Sequence, residues 1–172
     1  MIRDPRLLEL LEKQVDGLLP IEDVITSEVV ARSAVIKARI VSEDEKERGI
    51  RVILNYGHTI AHGLEAAANY KRFLHGEAVS IGMMGAAIIS SEVGLLSREI
   101  VERQEALLKR SGLPTTFSRV DIERILQATE LDKKVTGKRI RWVLLRGIGL
   151  PVVRDDVSQE VAVSVIRKLS QS

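Results

Sequence analysis

Apolar residues recur at helical spacing along most of the chain. Behind Asp4-Pro5, the residues Leu7, Leu8, Leu11, Val15 and Leu18 follow the three-and-four rhythm that lines one face of a helix. Asp4 offers a capping carboxylate, Pro5 suits the first helical position, and Pro20 closes the segment. A second helix is expected over residues 21–48, with Val30, Ala34, Ile36, Ala38 and Val41 as its apolar face and Gly49 as its C-cap. A third is expected from near Leu54 to near Asn69, followed by a short connection over 70–74. A fourth runs from His75-Gly76 to Val93 and carries the small residues Gly76, Gly82, Gly85, Ala86 and Ala87. Each interior glycine costs a helix about 1 kcal/mol relative to alanine. Small residues also let another backbone come close, so this helix is expected at the centre.

Ser97 then caps a fifth helix that ends at Gly112, before Pro114, and Asp121 caps a sixth. Residues 138–145 are rich in β-formers, 147–149 read as a turn, and 151–154 return as a second short strand. Ser158 caps a last helix. The pattern predicts a mainly α, multi-helical single domain over 1–172, with about seven helices and a small β-hairpin near the C-terminus.

Composition sharpens this picture in three places. Aromatic residues make up only 3% of the 172 residues, so the core must be aliphatic. The net charge is +2 and most charged runs mix signs, as in SEDEKERG, which argues against a nucleic-acid surface. There is no cysteine, which excludes disulfides and thiolate metal sites and suits a reducing compartment. The N-terminal MIRDPRLLELLEK has no signal-peptide core, and AVSIGMMGAAIISSEVGLL reads as a buried helix rather than a membrane span. A cytoplasmic protein is the expectation.

All three histidines fall in one window, NYGHTIAHGLEAAANYKRFLHGE. His58 and His62, four apart, share one face of a helix, the spacing by which a helix offers two imidazoles to a metal. His75 lies beyond a connection that can fold back to the same point. Imidazole with carboxylate suits Zn²⁺ and similar divalent ions. An HxxxH pair alone is weak, since isolated helical histidines are mostly surface or hydrogen-bonded core residues. Gly57, Gly63 and Gly76 flank the three histidines and are read as leaving room for a ligand. Asn55 adds a neutral donor, and Glu65 and Glu77 add carboxylates.

Catalytic zinc usually takes three protein ligands plus water, so the histidines fall short of a full set unless a local glutamate joins. Lys37 and Arg51 upstream and Asp132-Lys133-Lys134 downstream each read individually as solvated helix positions. Together they suit a small polyanionic substrate bearing carboxylate or phosphate. No G-x-G-x-x-G and no P-loop occurs, and no run of alternating strands and helices builds a dinucleotide-binding domain.

The segment from Lys37 to Ala87 resembles 3-dehydroquinate synthase. The pattern includes Lys37-Ala38, Asp44-Glu45, Gly49-Ile50-Arg51, Leu54-Asn55, Gly57-His58-Thr59, His62, Glu65 and Leu74-His75-Gly76-Glu77-Ala78-Val79. It continues in Gly82-Met83, Gly94-Leu95, Gly112-Leu113-Pro114, Asp132-Lys133-Lys134 and Gly147-Ile148-Gly149. The resemblance spans nearly the whole chain but only the helical half of the family's protein, whose N-terminal NAD-binding domain has no counterpart here. It implies a metal- and substrate-binding domain for a seven-carbon keto-acid phosphate of the shikimate pathway. NAD would come from a missing or separate half, and Zn²⁺ or Co²⁺ would be the metal. The reaction implied is oxidation at one carbinol, phosphate elimination, reduction and an aldol-type ring closure.

Carried over by position, the resemblance makes His58 and His75 metal ligands. The family's third ligand is a glutamate in a segment before the matched region. His62 and Asn55 would contact the substrate phosphate, Lys37 and Arg51 the carboxylate, and Lys134 the phosphate side; His62, Lys37 and Asn55 are the catalytic candidates. The bare HxxxH spacing pairs His58 with His62, whereas the resemblance pairs His58 with His75. Ile60-Ala61 replaces an aromatic and a glycine, and Gly63 replaces an alanine. Other readings are a sibling sugar-phosphate cyclase, a metal-dependent alcohol dehydrogenase relative, or a non-catalytic helical interaction fragment. A homodimer is a family habit; nucleic acid and membrane are not expected partners.

Overall fold

The helix over His75–Glu92 (α4) is apolar on nearly every side, and such a helix must be wrapped by others. Ala78, Ser80, Ile81, Gly82, Met84, Gly85, Ala86, Ala87, Ile89 and Ser90 are all buried along it. The structure, a computed structural model, describes residues 2–15, 24–46, 49–136 and 140–171, with the side chains of 24–25 and 130–136 outside that description. Around α4 stand α3 (His58–Ala67), α5 (Arg98–Arg110), α7 (Gln159–Leu169) and the strand β2 (Trp142–Leu145). The helix α6 (Ile122–Thr136) packs on the far side of α3. The helices α1 (Pro5–Gln14) and α2 (Val24–Glu43) lie at one edge.

Two glycines set the closest approach. A Cβ at Gly82 would lie 2.0 Å from the Gly57 carbonyl oxygen, and one at Gly57 would lie 2.6 Å from the Met83 nitrogen. Gly57 also has φ +85°, a conformation that side chains disfavour. The start of α3 therefore rests on the α4 backbone itself. Behind this contact, the buried Tyr56 hydroxyl donates to Gln104 Oε1 at 2.9 Å, and Gln104 Nε2 donates to the Met83 carbonyl at 2.8 Å. Burial pushes the Tyr56 phenol far above its ordinary pKa, so it stays a neutral donor.

The hairpin expected near the C-terminus is present: β2 pairs antiparallel with β3 (Pro151–Arg154), Trp142 opposite Arg154 and Leu145 opposite Pro151. Ser90 ties it to α4: its hydroxyl donates to Ala86 O at 2.6 Å and accepts from Leu145 N at 3.1 Å. A second, parallel pair was not legible in the sequence: β1 (Phe117–Ser118) lies beside β4 (Ser170–Gln171). Two-residue strands carry no periodicity to read. The caps fall as expected at Asp4, which accepts from Leu7 N at 2.9 Å, and at Ser158, which accepts from Val161 N. Ser97 occupies the N-cap of α5 without a side-chain cap bond.

Three expectations need correction. The second helix ends at Glu43, and Gly49 is not its C-cap. The Asp44 carboxylate instead accepts from Gly49 N at 2.7 Å and Arg51 N at 3.0 Å, turning the chain into a 3₁₀ helix over Ile50–Asn55. The third helix does not start at Leu54, because Gly57 breaks the path and α3 begins at His58. The apolar face assigned to α2 is mostly open. Val30 is 62% exposed, Ala34 and Ala38 are exposed, and Ile40, outside that set, is the buried residue. Residues 16–23, including Leu18 and Pro20, lie outside the described residues.

Substituting Gly82→Ala is expected to destabilise the chain by at least about 1–3 kcal/mol, since backbone rather than a flexible side chain blocks the new methyl. Gly76→Ala meets nothing within 4 Å and should stay within about 0.5 kcal/mol of the parent. Urea denaturation of both variants checks this; equal losses would refute the role given to the Gly57–Gly82 contact.

Candidate functional site

The backbone contact at Gly57 and Gly82 fixes where the first histidine emerges. His58 is the first residue of α3 and His75 the first of α4, so the α3–α4 packing brings both helix starts together. The ring centroids of His58 and His75 are 5.4 Å apart. His62, one turn along α3, lies 5.5 Å from His58 and 6.4 Å from His75. The His58–His75 pairing preferred from the resemblance and the His58–His62 pairing of bare spacing are therefore both present in one three-imidazole cluster.

The two helix-start rings are held at the same ring atom. His75 Nδ1 lies 3.0 Å from Glu65 Oε1, a contact that a carboxylate makes as acceptor when this nitrogen is the protonated one. His58 Nδ1 faces the Tyr56 carbonyl at a longer 3.4 Å, again an acceptor. In both rings the Nε2 lone pair remains for another partner. Burial lowers the His58 pKa below its ordinary value; the Tyr56 carbonyl opposes this, His62 and His75 reinforce it, and Glu65 opposes it. A neutral imidazole is the ligating form.

These donors suit a divalent ion such as zinc. Among the described residues no group of three or more His, Cys, Asp or Glu side chains is arranged to hold a metal ion. A resident ion would therefore draw on water or a ligand from outside these residues. Two of the three glycines beside the histidines do other work than the one expected. Gly57 makes room for α4, and Gly63 faces Ile125 and Thr129 of α6 at 3.1–3.3 Å. Of the three, Gly76 alone faces open space.

Lys37 lines the same cavity as His58, about 450 Å³ in volume and walled largely by Leu7, Leu8, Leu11 and Leu107. His62 and Glu65 line a second groove of about 430 Å³, together with Tyr70 and Thr129. His58 thus opens on the lysine-bearing cavity, while its ring neighbour His62 lines the groove. Arg51 and Asn55 are half-buried on the 3₁₀ helix that leads into Tyr56, and Arg51 Nη1 donates to the Glu45 carbonyl at 2.7 Å. Residues 132–134 continue α6, and the side chains of Lys133 and Lys134 lie outside the described residues. A separate cavity of about 310 Å³ at Trp142 and Val157 includes none of the candidate residues. Sequence reasoning missed Tyr56 and Gln104, which secure the turn beneath His58; a buried glutamine bonded to a distant tyrosine leaves no local signal. Among the described residues no helix is long and apolar enough to cross a membrane.

Residues 1–135 match the family described as 3-dehydroquinate synthase C-terminal. A 3-dehydroquinate synthase of Nostoc punctiforme is 43% identical over 170 residues, which are 97% of this chain and 47% of that protein. The chain thus spans about half the length of the curated relatives it matches. Among solved structures, the 2-epi-5-epi-valiolone synthase of Streptomyces hygroscopicus, with NAD⁺ and Zn²⁺ bound, aligns over 98% of this chain and 47% of its own, with TM-score 0.87 and 24% identity. A 2-deoxy-scyllo-inosose synthase in complex with carbaglucose-6-phosphate, NAD⁺ and Co²⁺ aligns over 94% of this chain and 53% of its own, with TM-score 0.72 and 22% identity. At such identities the likeness concerns the fold. The histidine window, the helices that fold it into one cluster and the match over residues 1–135 converge on one assignment: this chain belongs to the 3-dehydroquinate synthase C-terminal family.

Proposed function

We propose that this chain is the metal- and substrate-binding half of a 3-dehydroquinate synthase, completed by an NAD-binding half. The observation that carries the reading is the imidazole cluster, with the Nδ1 atoms of His58 and His75 already engaged and their Nε2 lone pairs left for an ion. His58 and His75 would hold Zn²⁺ or Co²⁺. When bound, the ion supplies Lewis-acid polarisation of a substrate oxygen. NAD⁺ and such ions are named with the two solved cyclases, which is consistent with this requirement.

The remaining candidates divide the substrate by charge. Lys37 and Arg51 would hold a carboxylate, Arg51 by its planar fork. Arg51 would first release the Glu45 carbonyl that it now engages. His62 and Asn55 would contact the phosphate, with Lys134 on the same side. His62 is exposed, so a proton can pass between its ring and a departing phosphate. This division favours a phosphorylated seven-carbon keto acid over a neutral sugar phosphate, which gives Lys37 and Arg51 no carboxylate to bind. A sibling cyclase acting on a sugar phosphate is the second reading, prompted by the substrates implied by the names of the two solved neighbours.

Three outcomes are expected. Mixing the chain with the NAD-binding half of a curated relative, NAD⁺ and Zn²⁺ should release inorganic phosphate from the carboxylated substrate and little from a neutral sugar phosphate. Absence of release in every pairing overturns the proposal, and release from the neutral compound alone selects the sibling reading. Calorimetric titration of the chain alone should show zinc binding, weakened by about tenfold or more (on the order of 1.4 kcal/mol) in His58→Ala and in His75→Ala. Binding indifferent to both changes removes the ligand assignment.

The third outcome concerns pH. The folded pKa of His58 lies below its ordinary 6.5, so the unfolded chain takes up this proton at higher pH than the folded one. Stability from this group is present above about 6.5 and is lost as pH falls through that value toward the folded pKa. The metal-free His58→Gln variant should lose less stability than the parent over that interval in urea titrations. In the parent, NMR should place the His58 midpoint below 6.5; a midpoint above it contradicts the burial assigned to the ring.

A further inference from the structure

Glu65 is a buried carboxylate on α3, 8% exposed, between the buried Leu64 and the half-buried Ala66. Burying an ionised carboxylate is costly unless hydrogen bonds compensate it. An apolar residue would fill this face of α3 at no such cost. The side chain that meets its carboxylate is His75, through Nδ1 at 3.0 Å. His75 is itself 61% exposed, so it needs no buried partner to satisfy its own polarity. The contact commits a buried carboxylate to an imidazole that water would otherwise serve. What the bond does supply is orientation: it fixes which nitrogen of His75 is protonated and which way the ring faces.

We propose that Glu65 is the positioning residue of His75. Its carboxylate accepts a hydrogen bond from Nδ1–H and leaves Nε2 as the nitrogen with a lone pair for the cluster with His58 and His62. The two ring nitrogens diverge, so a carboxylate bonded at Nδ1 stands behind the ring from an ion at Nε2. Glu65 therefore does not fill the shortfall of ligands while it makes this bond; it sets the geometry of the histidine that ligates. An acceptor behind a metal-bound imidazole fixes its tautomer and raises its basicity, and losing one typically costs about 10–100-fold in metal affinity. The consequence for metal binding rests on the function proposed above, whereas the tautomer of His75 does not.

The test uses the ¹⁵N-labelled, metal-free 172-residue chain at a pH of about 8, where histidine is neutral. The ¹⁵N shifts should show His75 protonated at Nδ1. Glu65→Leu should move the proton to Nε2 and lower zinc affinity by about 10–100-fold, measured by competition with a chromophoric chelator. Glu65→Gln keeps an acceptor oxygen in place and should recover most of that loss. A parent chain with His75 protonated at Nε2 overturns the proposal without any variant. So does a Glu65→Leu protein that melts lower but keeps both tautomer and zinc affinity, since Glu65 is then only a clamp between α3 and α4. If the tautomer shifts as expected in a chain that takes up no zinc, the positioning role stands and the metal reading falls.

Discussion

The molecule depends on one contact between two stretches of backbone. Where α3 begins, Gly57 lies against Gly82 and Met83 of α4 so closely that a single methyl group on either glycine collides with main-chain atoms. Helices usually pack 8–10 Å apart because side chains hold them there. Removing the side chains at this crossing lets the start of α3 settle on α4 and fixes the direction in which the next residue, His58, leaves the chain. Tyr56 and Gln104 secure the same place from behind through two hydrogen bonds, one buried and one partly buried, that reach α5 and the Met83 carbonyl. The histidine cluster is thus held from the backbone side, and its open side is left for chemistry.

The two histidines at helix starts are held by different physics. His58 is half-buried, and desolvation disfavours its charged form. His75 is exposed, and its orientation comes from a carboxylate that is itself buried. Each ring ends with Nδ1 engaged and Nε2 available. His62 shares the cluster from the exposed face of α3.

The sequence made much of this legible, and its failures are local. The start of α4 at His75, the caps at Asp4, Asp121 and Ser158, and the hairpin of β2 and β3 were readable because each has a short-range signal in capping or turn chemistry. The start of α3 was not, because Gly57 resembles an ordinary helix glycine until α4 lies against it. The face of α2 was misjudged for a related reason: periodicity says which residues share a side, whereas only the neighbours decide whether that side is covered. Here the neighbours of α2 are α1 and the 3₁₀ helix, and Val30 and Val35 remain exposed. Gly63 looked like space for a ligand and proved to be space for α6.

By itself the sequence determined the aliphatic helical character of the chain, the confinement of its histidines to one window and the residue pattern that marks its family. These follow from composition, spacing and residue identity, which are properties of the chain as a line. The resemblance favoured His58 beside His75, but that His62 lies with them was beyond the sequence, since it depends on how two helix starts joined by a loop pack. The tertiary structure decided that the three ring centroids lie 5.4–6.4 Å apart, and that Glu65 meets the Nδ1 of His75. The physical reason is that side-chain direction at a helix start is set by how closely the next helix can approach, and that distance is fixed by residues remote in the chain.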